Sequence, residues 1–211
     1  MIEPPRHYPS WVVPTVIGAT LVIAAYCVFR IFAATGDPEF FGWSVALCLL
    51  YAVVGSALAT RRDPGGGRPL WSVLAAGVCA GALLAAVFVV GAFVVRAVPA
   101  LADAVRAVTG QADHTPFVAV VAITALTGVA EELFFRGAVY ARLARRPVLV
   151  STLAYAAVTA GSLNPMMIFA ALVLGTVTGL QRRSSGGIVL PAVTHVVWSL
   201  TMLLALPAVV G

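Results

Sequence analysis

Residues 117–136 read FVAVVAITALTGVAEELFFR. Positions 117–130 carry no charge; Glu131, Glu132 and Arg136 then follow within six positions. An apolar run of this length reads as a membrane-spanning helix. A carboxylate at the bilayer centre costs roughly 2.5–3.5 kcal/mol on insertion scales. Two in succession must therefore face a polar interior or be paired.

The rest of the chain has the same character. Of its 211 residues 61% are hydrophobic and 10% charged, with a mean hydropathy of +1.02. Soluble globular domains do not have this composition. Apolar length places spanning segments near 11–32, 41–60, 70–95, 116–145, 148–160, 166–180 and 188–206. The fold class expected is all-α: a polytopic membrane helix bundle of about seven transmembrane helices. Residues 1–211 read as a single membrane domain. A core over 116–206 follows N-terminal helices and a surface segment over 1–115, where 96–115 is expected to hold a short amphipathic helix. The first apolar run is too long for a signal peptide and reads as a retained helix.

All 13 basic residues are arginines and the net charge is +5. They lie mainly at segment ends, where arginine sets orientation rather than binding nucleic acid. With the N-terminus inside, the cytoplasmic side holds Arg6, Arg61, Arg62, Arg68, Arg142, Arg145, Arg146, Arg182 and Arg183. The outer side holds Arg30, Arg96 and Arg106, which predicts N-in, C-out. The integral membrane protein expected is multi-pass, in a bacterial plasma membrane with lipid as its surroundings. Cys27, Cys48 and Cys79 lie inside apolar runs and read as small buried hydrophobes.

Residues four apart on a helix lie within about 40° of each other, so Glu132 and Arg136 can form an ion pair. Glu131 points about 100° away and continues a stripe of Thr124, Thr127 and Gly128. That small, weakly polar stripe is the face expected to look into a bundle. Glu132 thus reads as structural, and Glu131 as the inward carboxyl available as a general base. Arg142, Arg145 and Arg146 already mark the membrane interface, about 16–22 Å beyond Glu131.

EELFFRG, residues 131–137, resembles the Glu-Glu-x-x-x-Arg first motif of the CAAX prenyl protease and bacteriocin-processing (CPBP) intramembrane protease family. The resemblance covers about 116–206. STLAYAAVT, 151–159, takes the place of the second motif, Phe-x-x-x-His, and PAVTHVVWS, 191–199, that of the third, His-x-x-x-Asn. Glu131, Glu132, Arg136 and His195 match. Tyr155 stands where the family has Phe, Thr159 where it has the second-motif His, and Ser199 where it has Asn. In the family the first Glu and the second-motif His activate water or hold a metal, and the third-motif residues stabilise the oxyanion. The resemblance therefore implies Glu131 and His195 as the catalytic pair. Glu132, Arg136, Tyr155, Thr159 and Ser199 support them. No cofactor is assigned: Thr159 is a poor metal ligand, so a two-His zinc site cannot be built from these positions. His7 and His114 lie in polar segments outside the core.

Thr152, Tyr155 and Thr159 form one polar stripe, and Thr194, His195, Trp198, Ser199 and Met202 another. With Glu131 they are expected to converge on one cavity in the cytoplasmic half. Gly175 and Gly179 read as a helix-packing face, Trp11, Trp43 and Trp71 as interfacial anchors, and Asn164 as turn chemistry. Two functions stay open. One is an intramembrane endopeptidase acting on membrane-protein or lipidated-peptide substrates. The other is a catalytically impaired member that serves as a scaffold or regulatory subunit for a membrane-protein partner. A transporter is disfavoured, because no repeats or paired broken helices appear.

Overall fold

The computed structural model describes residues 9–33, 39–59, 67–110 and 116–211. Arg6, His7, Arg61, Arg62 and His114 lie outside the described residues. The chain is all-helical: α1 (Val12–Ala33), α2 (Glu39–Leu58), α3 (Leu70–Val95), α4 (Pro99–Thr109), α5 (Phe117–Glu132), α6 (Pro147–Thr159), α7 (Pro165–Ser185) and α8 (Val189–Val210). Six stretches among the described residues are long and apolar enough to cross a membrane. Five are single α-helices; the sixth joins α5 to its continuation, Phe117–Arg142. Residues Pro147–Ser162, which hold α6, form a shorter apolar helix that completes the set of about seven. The chain is a multi-pass integral membrane protein by this measure.

Local sequence accounts for the helix ends. Two non-glycine residues in the left-handed region, Arg146 (φ 51°) and Leu163 (φ 54°), bracket the α6 segment. Such residues are uncommon, and they stop a helix sharply at either end. Asn164 caps α7: its side chain accepts from the N–H groups of Met166 and Met167 at 3.0 and 3.3 Å. Its Nδ2 also donates to the Ala104 carbonyl at 2.7 Å, which ties α4 to α7. The amphipathic helix expected over 96–115 is α4, which turns Ala102 and Val105 inward.

The fourth span departs from a continuous α-helix. After Glu132 the chain widens into a π-helix over Leu133–Val139, in which Tyr140 N–H bonds to the carbonyl five residues back, Phe135 O. A 3₁₀ turn, Tyr140–Arg142, follows. π-Helical turns are rare and are found mostly at functional sites. This one faces the core, since Phe134 and Phe135 are fully buried. Their rings pack with Tyr51 of α2 at centroid separations of 5.1 and 5.4 Å. Gly55 permits that approach, because a Cβ there would meet the Leu133 and Phe134 backbone at 2.9 Å.

α8 runs along α3 on one side and touches α5 and α7 on the other. α6 packs on α7. Gly175 and Gly179 form part of that seam, where a Cβ would approach Thr152 at 3.1 Å and Val148 at 3.0 Å. Two expectations need correction. Cys79 is exposed on α3 rather than buried. Thr194 does not share the face of His195. It donates to Gly77 O at 3.2 Å and accepts from Gln181 at 2.9 Å, so its hydroxyl is turned to α3 and α7.

Candidate active site

The site is assembled by α5, its π-helical continuation, α6, α7 and α8. Glu132 and Arg136 have no exposed surface, and His195 is 4% exposed. Buried charges of this kind need partners. Arg136 Nη1 lies 3.2 Å from Glu132 Oε1. The contact is electrostatic rather than an aligned hydrogen bond: Arg136 Nη1 and Nε and Glu132 Oε2 have no hydrogen-bond partner among the described residues. Arg136 Nη2 donates to the Gly175 carbonyl of α7 at 2.9 Å.

His195 meets both glutamates. Its Nδ1 is 2.9 Å from Glu132 Oε1, and its Nε2 is 3.6 Å from Glu131 Oε2. The 100° between the two glutamates on α5 is what allows this, since each reaches a different edge of one imidazole. Gly128 supplies the floor: a Cβ there would lie 3.5 Å from His195 Cδ2. Glu132 is a carboxylate beside a guanidinium and can only accept. The proton between it and His195 therefore sits on Nδ1, which leaves Nε2 facing Glu131. Only Glu131 of the two carboxylates keeps surface, with its side chain 14% exposed.

Tyr155 lies beside this pair. Its ring is 5.0 Å from Phe135, 6.3 Å from His195 and 5.5 Å from the Arg136 guanidinium carbon. Thr159, one turn on, is buried, and its hydroxyl donates to the Tyr155 carbonyl at 3.0 Å. Ser199 is half-buried one turn beyond His195. Trp198 packs between His195 and Phe88 at centroid separations of 6.4 and 5.2 Å.

Arg182 was expected to be a topological charge at the membrane surface. It is instead 4% exposed, and its Nε donates to the Arg136 carbonyl at 3.0 Å. A π-helical turn releases a carbonyl from its usual α-helical partner, and Arg182 takes one up. α7 thus grips Arg136 at its backbone, through Arg182, and at its guanidinium, through Gly175. The neighbouring Arg183 is exposed. Nothing in the pair Arg182–Arg183 announces this division.

The donor set does not fit a catalytic metal. Such a zinc site uses three protein ligands. Here Glu132 lies against the Arg136 guanidinium, whose charge opposes a cation at that carboxylate, so that Glu131 and His195 Nε2 are left to face one another. No group of three metal-binding side chains occurs among the described residues.

Residues 113–201 match the family model described as type II CAAX prenyl endopeptidase Rce1-like. That stretch, 89 of the 211 residues, is similar to the CAAX prenyl protease family. The match takes in the whole cluster from Glu131 to Ser199. It supports CAAX-type intramembrane proteolysis as the functional class, in a lipid setting with membrane-embedded peptides as the class of substrate. No curated protein and no solved structure matches the chain.

Proposed function

We propose that the protein is an endopeptidase that hydrolyses peptide bonds of membrane-associated substrates with a water activated by Glu131 and His195. The observation that carries this reading is the 3.6 Å approach of Glu131 Oε2 to His195 Nε2 inside the bundle. Glu132 holds Nδ1–H, so the face of the imidazole that can take up a proton is turned to Glu131. The attacking water gives its proton to this pair as its oxygen bonds to the scissile carbonyl carbon. The imidazolium then stabilises the tetrahedral oxyanion, with weaker help from the Ser199 hydroxyl. The same proton passes to the departing nitrogen as the C–N bond breaks. The setting is a bacterial plasma membrane.

The test is cleavage of a prenylated model peptide in reconstituted vesicles. Glu131→Gln should reduce cleavage to background while the melting temperature stays near that of the wild type. Full activity in this variant would overturn the reading. The second reading, an impaired member acting as a scaffold, is favoured by the closed hydrogen bond of Thr159, which leaves no base at the second-motif position. It requires a wild type that cleaves nothing and a membrane-protein partner that stays bound to Glu131→Gln.

A further inference from the structure

We infer that Arg182 is a positioning residue for the reaction: its Nε–H holds the carbonyl of Arg136, and through the Arg136 side chain it sets where Glu132 keeps His195. The catalytic consequence rests on the protease reading above, whereas the hold on His195 does not. In an α-helix the Arg136 carbonyl would accept from the N–H of residue 140. Here Tyr140 N–H turns to Phe135 O instead, so the π-helical turn frees that acceptor inside the bundle. Arg182 Nε donates to it at 3.0 Å. A buried carbonyl without a donor is costly, so this bond favours the wide turn over an ordinary helix.

Arg182 is itself held. It lies in the last turn of α7, which ends at Gly186 in the left-handed region (φ 71°), and its own carbonyl accepts from Gly186 N–H at 3.1 Å. Its guanidinium carbon is 5.8 Å from the ring of Tyr140, the residue that closes the π-helical turn. Beyond Arg136 the contacts run on without a break. Its Nη2 reaches Gly175 O at 2.9 Å and its Nη1 Glu132 Oε1 at 3.2 Å, and the same Oε1 is 2.9 Å from His195 Nδ1. Relaxation of the turn toward an α-helix would swing Arg136 about the axis and slacken both of these side-chain contacts. Glu132 and the imidazole would then be free to drift from Glu131. Arg182 touches no reacting atom and acts only through these residues.

The test uses two substitutions that differ in what they place at the Nε position. Glutamine carries its amide nitrogen as many bonds from the backbone as Arg182 carries Nε, and methionine carries a methyl carbon there. Arg182→Met should lower kcat by about tenfold to a hundredfold with KM unchanged, the effect of a misplacement of about 1 Å. Arg182→Gln should recover most of that loss, because the carbonyl needs the donor rather than the charge. Full kcat in Arg182→Met, a change confined to KM, or a glutamine variant as impaired as the methionine one would overturn the proposal. If Arg182→Met does not fold, Arg182→Lys takes its place. Its ammonium sits one bond beyond the Nε position, so kcat should fall below that of Arg182→Gln, and a lysine variant at or above it would overturn the proposal. Nuclear magnetic resonance on the purified protein separates this from failure of the protease reading. The His195 Nδ1–H proton, identified by its loss in His195→Gln, should shift in Arg182→Met and stay in place in Arg182→Gln. If the wild type cleaves nothing, the protease reading fails, and an unmoved resonance in Arg182→Met then rejects the inference on its own terms.

Discussion

Along one face of α8, Val193 and Val197 sit so close to α3 that a Cβ at Gly77 or Gly81 would come within 2.7 Å of them. Along another, His195 reaches Glu132 and Glu131 at 2.9 and 3.6 Å. The first contact is made of small and branched apolar residues, and close packing is what drives helix association where lipid is as apolar as the side chains. The second is made of buried charges, whose desolvation opposes folding unless every partner is present. One helix therefore joins a seam that stabilises to a cluster that stability alone would not select. A costly cluster kept beside a well-packed seam is the pattern expected of a functional site.

This contrast can be broken at its most expensive point. Arg136→Met removes the cation from a buried network and leaves Glu132 without it, and breaking such a pair typically costs about 3–5 kcal/mol. Unfolding in mixed detergent micelles should show a loss of that order, together with loss of cleavage. A variant of unchanged stability would show that the network is wetter than its burial implies.

Gly81→Ala probes the other face. The new methyl would lie 2.7 Å from Val197 and 2.8 Å from the Thr194 carbonyl, and overpacking of this kind costs about 1–3 kcal/mol. Cleavage per folded molecule should persist, because the seam carries no chemistry. Loss of activity without loss of stability would mean that α3 sets the position of His195.

Asn164→Ala should have the smallest effect. It removes the α7 cap and the tie to Ala104, which is worth about 1–2 kcal/mol. Thermal unfolding would register it, and the catalytic parameters should stay at their wild-type values.

The sequence carries the first motif plainly, because charge inside an apolar run is conspicuous and expensive. His195 is readable for the same reason. That His195 meets Glu132 as well as Glu131 is not readable, since it depends on how α8 is placed against α5. Arg182 is hidden by its context: an arginine pair before Ser-Ser-Gly-Gly looks like any cytoplasmic helix end. Thr194 misleads because it neighbours His195 in sequence but looks toward other helices. The π-helix leaves no mark on the composition of LFFRGAV, whose apolar residues suit an α-helix equally well.

That wider turn has a consequence for how the fourth span tolerates change. A π-helical turn accommodates more residues than the α-helical turns on either side of it. Deleting a single residue within 133–139 would let the backbone relax into an ordinary helix, shorter by one position and free of its irregularity. The chain would gain local regularity and the helix beyond the turn would keep roughly its register, yet residues inside the former turn, Arg136 among them, would be rotated by about 100°. The span would still cross the bilayer, with its arginine aimed at the wrong neighbour.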